Sequence, residues 1–255
     1  MLVKGLSAFA ATLKLAFIAF IMANIVALPL GVFAGLNRDT PLDYIIMGMV
    51  LIFLAIPVFW LAAICTTLPN LIGLTVPISA NINTFQEAQN ISGLALIDAY
   101  LTTDTYRLSA LINHLVHLLL PSSVLSLFLI SEITRLTRHS ITTIIKSNYI
   151  KSAYAKGSSS SQIVFNHVIK NALPPIIHQI RLQLSTIISF AMVIEIVFSM
   201  HGMGTWLLDS IQKGDYLALP TAILLISGFI LLTSIFVDIL LVMISPIKRK
   251  SLYVD

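Results

Sequence analysis

The chain alternates long apolar runs with short polar breaks, and this alternation predicts its main elements. Each long run has about 20 residues or more, which is the length that an α-helix needs to cross ~30 Å of hydrocarbon. The runs cover residues 8–36, 44–68, 115–137, 176–199 and 217–244. Because backbone groups inside a bilayer must pair within their own segment, such runs favour helices. The pattern predicts an all-α, polytopic membrane protein with one transmembrane domain over residues 1–255.

Two of the predicted spans contain a proline, and the first span is expected to bend near its proline. Pro29 lies late in the first span, and Pro57 lies in the middle of the second. Proline has no backbone N–H, so each one leaves a carbonyl of the preceding turn without its helical partner. Within a bilayer that carbonyl must be covered by neighbouring helices, which indicates a packed interior.

Composition agrees with membrane insertion and excludes other classes. The chain is 57% hydrophobic and only 10% charged, with a mean hydropathy of +0.95, unlike a soluble globular domain. The net charge of +4 does not form a basic patch with interleaved aromatic residues, so nucleic-acid binding is not indicated. Cys65 is the only cysteine, which excludes an intrachain disulfide and a thiolate metal site.

Lysine and arginine positions predict the orientation. When the 37–43 loop, residues 138–175 and the C-terminus are placed in the cytoplasm, eleven of the fifteen basic residues lie on or near that side. This is the asymmetry that the positive-inside rule describes. Five spans then put Met1 outside, although residues 1–7 form no signal peptide. We therefore expect that an earlier span is missing from this chain.

Two outer segments follow from this topology. Residues 69–114 are rich in Asn and Thr, and their apolar stretch 91–101 is too short to span. It is expected either to lie as a helix on the outer face or to cap a translocation path. Residues 200–216 contain His201-Gly202-Met203-Gly204, whose glycines predict a tight turn.

A polar segment, residues 147–175, interrupts the apolar pattern on the predicted cytoplasmic side. Its first half has apolar residues at helical spacing and predicts a short amphipathic helix, whose face consists of Tyr149, Ile150, Ala153 and Tyr154. Gly157 follows this helix and suits a left-handed C-terminal cap. Ser152, Ala153 and Ala155 are small, which permits the close approach of a partner surface.

The second half of the polar segment predicts another short helix. Ser159 and Gln162 have the spacing of a capping box, and the apolar face that follows consists of Ile163, Val164, His167 and Val168. Pro174 and Pro175 are expected to end this helix and to start the next span. From pattern alone, the segment is either a passive helix pair on the lipid headgroups or a docking element for a partner.

No catalytic constellation is present in the sequence. It contains no His-Glu-x-x-His, no Gly-x-Ser-x-Gly and no Gly-x-x-x-x-Gly-Lys-[Ser/Thr] phosphate loop. His114 and His117 are three residues apart but lack a further ligand, so no metal site is predicted. The chain is therefore not expected to be an enzyme or to hydrolyse ATP.

Three carboxylates lie within or at the edges of the spans, where a charge is costly and is usually paired or functional. Glu132 can pair with Arg135 on one helix face, and Asp238 is expected to pair with a basic residue near the cytoplasmic exit. Three interpretations are open for Glu195: a protonated carboxyl, a hydrogen bond across a dimer, or a place along the path. An ion-coupled secondary transporter that uses Glu195 or Asp238 as a proton carrier is the alternative function.

Several motifs resemble those of ABC-importer permeases of the dipeptide and oligopeptide branch, in the same order along the chain. Ser-Ala-x-Ala-Lys-Gly at 152–157 and Asn-Ala-Leu-Pro-Pro at 171–175 look like the cytoplasmic "EAA" loop of that family. Ala-Ile-Pro-Val-Phe-Trp at 55–60 and Arg-Leu-x-Arg at 135–138 resemble two further elements. Glu195-Ile-Val-Phe-Ser with Gly202-x-Gly204 resembles the family's Glu-x-Val-Phe-Ser-x-Pro-Gly-x-Gly signature, with His201 in place of the proline.

The resemblance implies the type I ABC importer transmembrane fold, with six spans in the family and five here, in a bacterial inner membrane. It implies a second permease subunit, two cytoplasmic ATPase subunits that bind ATP and Mg²⁺, and a periplasmic peptide-binding protein, with no cofactor on this chain. ATPase coupling falls on residues 147–172, and on these in particular: Tyr149, Ile150, Lys151, Ala153, Tyr154, Ala155, Gly157 and Ile163. The structural signature positions are Leu173, Pro174, Glu195, Phe198, Gly202 and Gly204.

Within this branch, residues 91–101 are most similar to the Sap-type permeases, which implies peptide uptake linked to antimicrobial-peptide resistance. Lys151 and Ser152 stand where the general motif has Glu and Ala. Because His201 stands in place of the family's proline, the resemblance does not predict the shape of the outer turn.

Overall fold

The computed structural model describes residues 2–71 and 107–244, and every regular element in these two ranges is helical. We number the helices α1 (Leu2–Leu36), α2 (Pro41–Ala55), α3 (Val58–Leu71), α4 (Arg107–Ile145), α5 (Asn148–Ala155), α6 (Ser160–Val197), α7 (Met203–Gln212) and α8 (Ala218–Ile244). The apolar stretch 91–101 lies outside the described residues.

The predicted spans correspond to α1, the α2–α3 pair, α4, α6 and α8. Four of these helices are each long and apolar enough to cross a bilayer, and the pair α2–α3 makes a fifth candidate. The predicted span over 44–68 is broken, because the pair bends by 87° at the break between Ala55 and Val58. Pro57 cannot donate to the preceding turn, and its carbonyl instead accepts hydrogen bonds from Trp60 and Leu61 as α3 begins.

The described chain falls into two compact units. Of the described residues, the first contains 2–20, 56–71, 107–126 and 186–229, and the second contains 21–55, 127–185 and 230–244. The predicted cytoplasmic 37–43 loop and the polar segment both belong to the second unit, whereas α7 belongs to the first. The single domain over residues 1–255 stays a prediction.

In the first unit, the start of α1 packs against α7 and α8. The buried centre of this contact consists of Phe9, Met203 and Ala222, with Trp206 among the half-buried neighbours. The Phe9 ring also meets Phe229 edge to face, with ring centroids 5.7 Å apart, a geometry that aromatic pairs prefer. The start of α1 therefore lies next to the 200–216 segment.

In the second unit, α1 approaches α4 at two glycines four residues apart. A Cβ atom on Gly31 would lie 2.5 Å from Cβ of Thr137, and one on Gly35 would lie 2.7 Å from Cβ of Ile141. Side chains cannot fit at these positions, so the helix backbones come close together. Small residues at this spacing are typical of helix packing in membranes, where van der Waals contact drives association.

Two sequence predictions about local structure are corrected. Pro174 and Pro175 do not end the helix that precedes them, since both lie inside α6, which continues to Val197. The segment from Ser160 is therefore the start of a helix that is long and apolar enough to span, and not a separate short helix. The 200–216 segment contains the helix α7 after its turn, whereas the glycines predicted only the turn.

Candidate functional site: the polar segment and the outer turn

The first half of the polar segment folds as predicted. Asn148–Ala155 forms α5, and Gly157 follows with φ of +85°, a left-handed conformation that favours glycine. The Ser158 N–H donates to the carbonyl of Ala153 at 3.3 Å and the Gly157 N–H donates to that of Tyr154 at 3.0 Å. These two bonds close the end of α5 and turn the chain sharply.

The second half opens with the predicted capping box. The Gln162 backbone N–H donates to Oγ of Ser159 at 3.4 Å, and the Ser159 N–H donates to Oε1 of Gln162 at 3.2 Å. The next residues, Ile163–Ile169, form a π-helical turn inside α6. Such turns are rare in proteins overall, and those that do occur often lie at functional sites.

Burial divides the predicted coupling residues into two groups. Ile150, Ala153 and Ile163 are buried in one apolar cluster together with Ile141 and Val168. The exposed group consists of Tyr149, Lys151, Tyr154, Ala155 and Gly157. The buried group thus attaches α5 to α4 and α6, and only the exposed group is accessible to a partner. The predicted single apolar face is split, because the two tyrosines turn outward.

One polar contact joins the two halves across the glycine turn. The Tyr149 hydroxyl and Nδ1 of His167 are 2.6 Å apart, and the two rings meet edge to face with centroids 5.4 Å apart. Asn171 donates from its side-chain amide to the carbonyl of His167 at 2.7 Å. The π-helical turn is therefore tied to α5 on one side and to the body of α6 on the other.

A buried ion pair lies next to the polar segment, and sequence reasoning missed it. Arg138 of α4 donates from Nε to Oδ1 of Asp43 at 2.6 Å and from Nη2 to Oδ2 at 2.5 Å. The Asp43 side chain is fully buried, and that of Arg138 is 24% exposed. The Asp39 N–H also donates to Oδ2 at 3.0 Å. A carboxylate in the first turn of α2 and the Arg-Leu-x-Arg motif were the available signals, but their pairing depends on contacts 95 residues apart.

The other intramembrane carboxylates differ in their partners. Asp238 accepts two hydrogen bonds from Nη1 of Arg181, at 2.7 and 2.8 Å, which confirms the predicted pairing with a basic residue. Glu132 takes part in no ion pair within residues 2–71 and 107–244, so the predicted pair with Arg135 does not form. The arginine of this motif that pairs is Arg138, which lies one turn further along α4.

Glu195 and its signature neighbours hold the outer turn together. Oε2 of the buried Glu195 accepts from the Gly204 N–H at 2.9 Å, and Oγ1 of Thr12 accepts from the Met203 N–H at 2.8 Å. Two N–H groups in the first turn of α7, which have no helical partner, are thereby paired. Glu195 thus anchors the outer turn within the chain, a structural role that differs from the three interpretations left open by the sequence, which stay predictions.

The glycines of this signature are required by close contacts. A Cβ atom on Gly204 would overlap the backbone carbonyl of Met192, and one on Gly202 would overlap the Glu195 carboxyl. Phe198 is buried beneath the turn, and the Met200 N–H donates to the Glu195 carbonyl at 2.8 Å. His201 is exposed, so the turn closes without the family's proline.

The part of the chain that contains the polar segment and the outer turn matches a known family model. The model described as "Binding-protein-dependent transport system inner membrane component" matches residues 27–250. The chain belongs to this family. It is therefore a multi-pass inner membrane protein and a permease subunit of an ABC transporter, a class that works with a partner permease and ATPase subunits.

Two relatives support this assignment over nearly the whole chain. The "Putrescine export system permease protein SapB" of Escherichia coli K12 is 36% identical over 245 residues, which are 96% of this chain and 76% of that protein. The "Peptide transport system permease protein SapB" of Escherichia coli O157:H7 matches to the same extent. The resemblance to Sap-type permeases is thus confirmed, although one relative is named for putrescine export and the other for peptide transport.

The fold is shared with a solved ABC transporter. An inward-facing structure of the MetNI methionine ABC transporter superposes with a TM-score of 0.64 at 18% sequence identity, and the match covers 96% of each chain. The predicted all-α importer-type transmembrane fold is confirmed. The likeness at this identity concerns the fold alone.

Proposed function

We propose that this chain is the transmembrane subunit of an ATP-driven importer of peptides and that the polar segment transmits ATP-driven motion to the spans. In this proposal the chain binds no cofactor of its own, ATP and Mg²⁺ bind to two ATPase subunits, and a periplasmic binding protein delivers the peptide. The polar segment and the C-terminus lie in the cytoplasm. Antimicrobial peptides belong to the candidate substrates.

The observation that carries the proposal is the division of the polar segment into a buried base and an exposed face. Ile150 and Ile163 are each 1% exposed and fix the base, whereas the Tyr154 ring is about half exposed. An exposed aromatic ring on a rigid base is the usual form of an interface anchor. Because α6 continues from this base into the membrane, a force on α5 reaches a spanning helix without a flexible joint.

ATP-driven closure of the ATPase pair would move α5 and shift the spans between inward-open and outward-open states. The alternative of an ion-coupled transporter has less support, because Asp238 is paired with Arg181 and Glu195 with the Gly204 N–H. Family membership also favours a binding-protein-dependent system.

The experiment is Tyr154→Ala in the complex purified from native membranes, with ATP-driven uptake of trialanine into proteoliposomes and the amount of co-purified ATPase as readouts. Loss of an interface anchor costs about 2 kcal/mol or more, so both readouts are expected to fall at least about tenfold. Ala153→Glu is less informative, because Ala153 is buried and a charge there would disrupt the base itself.

The matched control is Tyr216→Ala, the same change at a tyrosine that is 71% exposed on the predicted outer side. This variant is expected to keep its ATPase. Normal ATPase binding and uptake in Tyr154→Ala would refute the docking role. Putrescine is tested in parallel, because one relative is named for its export; ATP-driven movement of putrescine without any trialanine uptake would refute the peptide substrate.

A further inference from the structure

A group of buried polar atoms without partners lies between α4 and α6 in the second unit. The amide of Gln183 is 3% exposed, and neither its Oε1 nor its Nε2 has a hydrogen-bond partner. Oγ1 of Thr137, on the facing helix, is also buried and unpaired. Buried polar groups in folded proteins are nearly always paired, so an amide with both ends unsatisfied requires a specific explanation.

These side chains line one cleft. Thr137 and Gln183 share it with Gln179 and with aliphatic side chains from both helices, and the cleft is partly open at its surface, with about 160 Å³ of space between and beside these side chains. Ile176, Gln179, Ile180 and Gln183 recur at the spacing of one face of α6. No part of this space is wide enough to admit a water molecule. Water therefore cannot satisfy the amide in this conformation.

The chemistry of the three unpaired atoms, which are Oε1 and Nε2 of Gln183 and Oγ1 of Thr137, restricts which ligand could bind there. Gln183 offers one acceptor and a pair of donors on a planar amide, and Thr137 offers a hydroxyl that can do either. A ligand that satisfies the glutamine must present a donor and an acceptor side by side. A primary ammonium group has only donors and would leave Nε2 of Gln183 unpaired.

An extended peptide backbone meets this requirement. In an extended chain the N–H and C=O of one residue point to the same side, as they do in a β-ladder. Gln183 can therefore accept from the N–H and donate to the C=O of a single substrate residue. The aliphatic walls of the cleft add contact that does not depend on the side chain of the substrate.

We propose that Gln183, assisted by Thr137, is a backbone-binding subsite for peptides on the translocation path, closed in the present conformation. The proposal rests on the proposed peptide transport and assigns it a substrate contact. Separation of α4 from α6 during transport would open the cleft, and reclosure would exclude the substrate. A subsite of this kind binds peptides regardless of their side chains.

The test compares trialanine with two ester analogues in which lactate replaces alanine at position 2 or 3, which removes one backbone N–H. Uptake driven by ATP is measured in proteoliposomes with the complete complex and a saturating binding protein. With the wild-type chain, at least one ester is expected to enter about tenfold more slowly, the worth of one or two hydrogen bonds. In Gln183→Leu, uptake of trialanine itself is expected to slow about tenfold, and the ratio of the amide uptake rate to the ester uptake rate is expected to fall toward one.

The amide-to-ester ratio of uptake rates is compared between the wild-type chain and Gln183→Leu. The binding protein is the same in both complexes, so its own preference cannot cause a change in this ratio. Gln212→Leu, the same change at an exposed glutamine at the end of α7, is the matched control and is expected to keep the wild-type ratio. Thr137→Val provides a second variant of nearly unchanged shape and is expected to reduce the ratio in part.

Stability supplies an independent criterion. Because Gln183→Leu removes two unsatisfied groups, the midpoint of thermal unfolding is expected to stay the same or to rise. A lower midpoint or a lost subunit would mean that Gln183 is paired within the complex, and it would overturn the subsite. An unchanged ester ratio in Gln183→Leu would overturn it as well, while peptide transport itself would stand. If the wild-type complex moves no trialanine with ATP, the proposed function and the subsite both fail.

Discussion

The buried pair between Asp43 and Arg138 allows a prediction in which the two single substitutions have unequal effects. Asp43 is fully buried and accepts from Nε and Nη2 of Arg138 and from the Asp39 N–H. Arg138 is 24% exposed and can recover some hydration when its partner is removed. The two partners thus differ in what is left behind when one of them is lost.

Arg138→Met leaves a carboxylate in the interior with only one backbone donor. Removal of one partner of a buried ion pair costs about 3–5 kcal/mol. Asp43→Asn keeps an acceptor for the Asp39 N–H and leaves a partly hydrated guanidinium, so we expect a loss of about 1–2 kcal/mol, the net worth of the weakened hydrogen bonds. The arginine variant should therefore be the less stable one by about 2 kcal/mol.

The double variant Asp43→Asn/Arg138→Met tests the mechanism. It contains neither charge, so its loss of stability should be smaller than that of Arg138→Met alone, with a coupling energy of about 2 kcal/mol. The midpoint of thermal unfolding is measured for the purified chain in detergent, with the folded fraction followed by size-exclusion chromatography. Arg135→Met, at an exposed arginine on the same helix, is the control and should change the midpoint little.

Two outcomes would refute this reasoning. If Arg138→Met is no less stable than Asp43→Asn, the buried carboxylate is not what sets the cost. If the double variant loses the sum of the two single losses, the two side chains do not interact in the folded protein.

Two further substitutions test the closures at the outer turn and in the polar segment. Gly204→Ala should lower stability by about 2–4 kcal/mol, because its Cβ would overlap the Met192 carbonyl and displace the N–H bonded to Glu195; thermal unfolding measures it. Gly228→Ala, where a Cβ meets nothing within 4 Å, should be neutral or stabilising by about 0.5–1 kcal/mol. Ser159→Ala should lower the stability of the start of α6 by about 1 kcal/mol, because the N-cap side chain is lost. The effect is measured as faster amide hydrogen exchange over residues 160–166, with Ser158→Ala as the control.

Equal midpoints for the two glycine variants would contradict the close contact at the outer turn. Equal exchange rates for the two serine variants would contradict the capping box.

Local signals in the sequence were sufficient for several features. The length of the apolar runs predicted the spans, because hydrocarbon thickness and helix rise are constants. Gly157 and the Ser159–Gln162 spacing predicted a cap and a capping box that both form, because each depends on residues within one turn. The expected partner of Asp238 followed from the cost of an unpaired charge in a membrane.

The sequence did not predict whether a given proline breaks its helix. Pro57 was expected only to free a carbonyl within one span, yet α2 and α3 meet there with a bend of 87°. Pro174 and Pro175 were expected to end a helix, yet α6 runs through them. A proline removes the same N–H in each case, and packing around the helix decides whether the helix breaks or continues.

The sequence by itself determined that this chain is an all-helical membrane protein with a polar segment in which local caps end one helix and begin the next. Only the tertiary structure decided which residues of that segment are free to meet a partner, since Ile150 and Tyr154 have similar apolar character but opposite burial. It also decided that Arg138, and not Arg135, has a buried partner, and that Gln183 and Thr137 share a cleft. Caps depend on neighbours along the chain, whereas burial and pairing depend on helices that meet from distant parts of it.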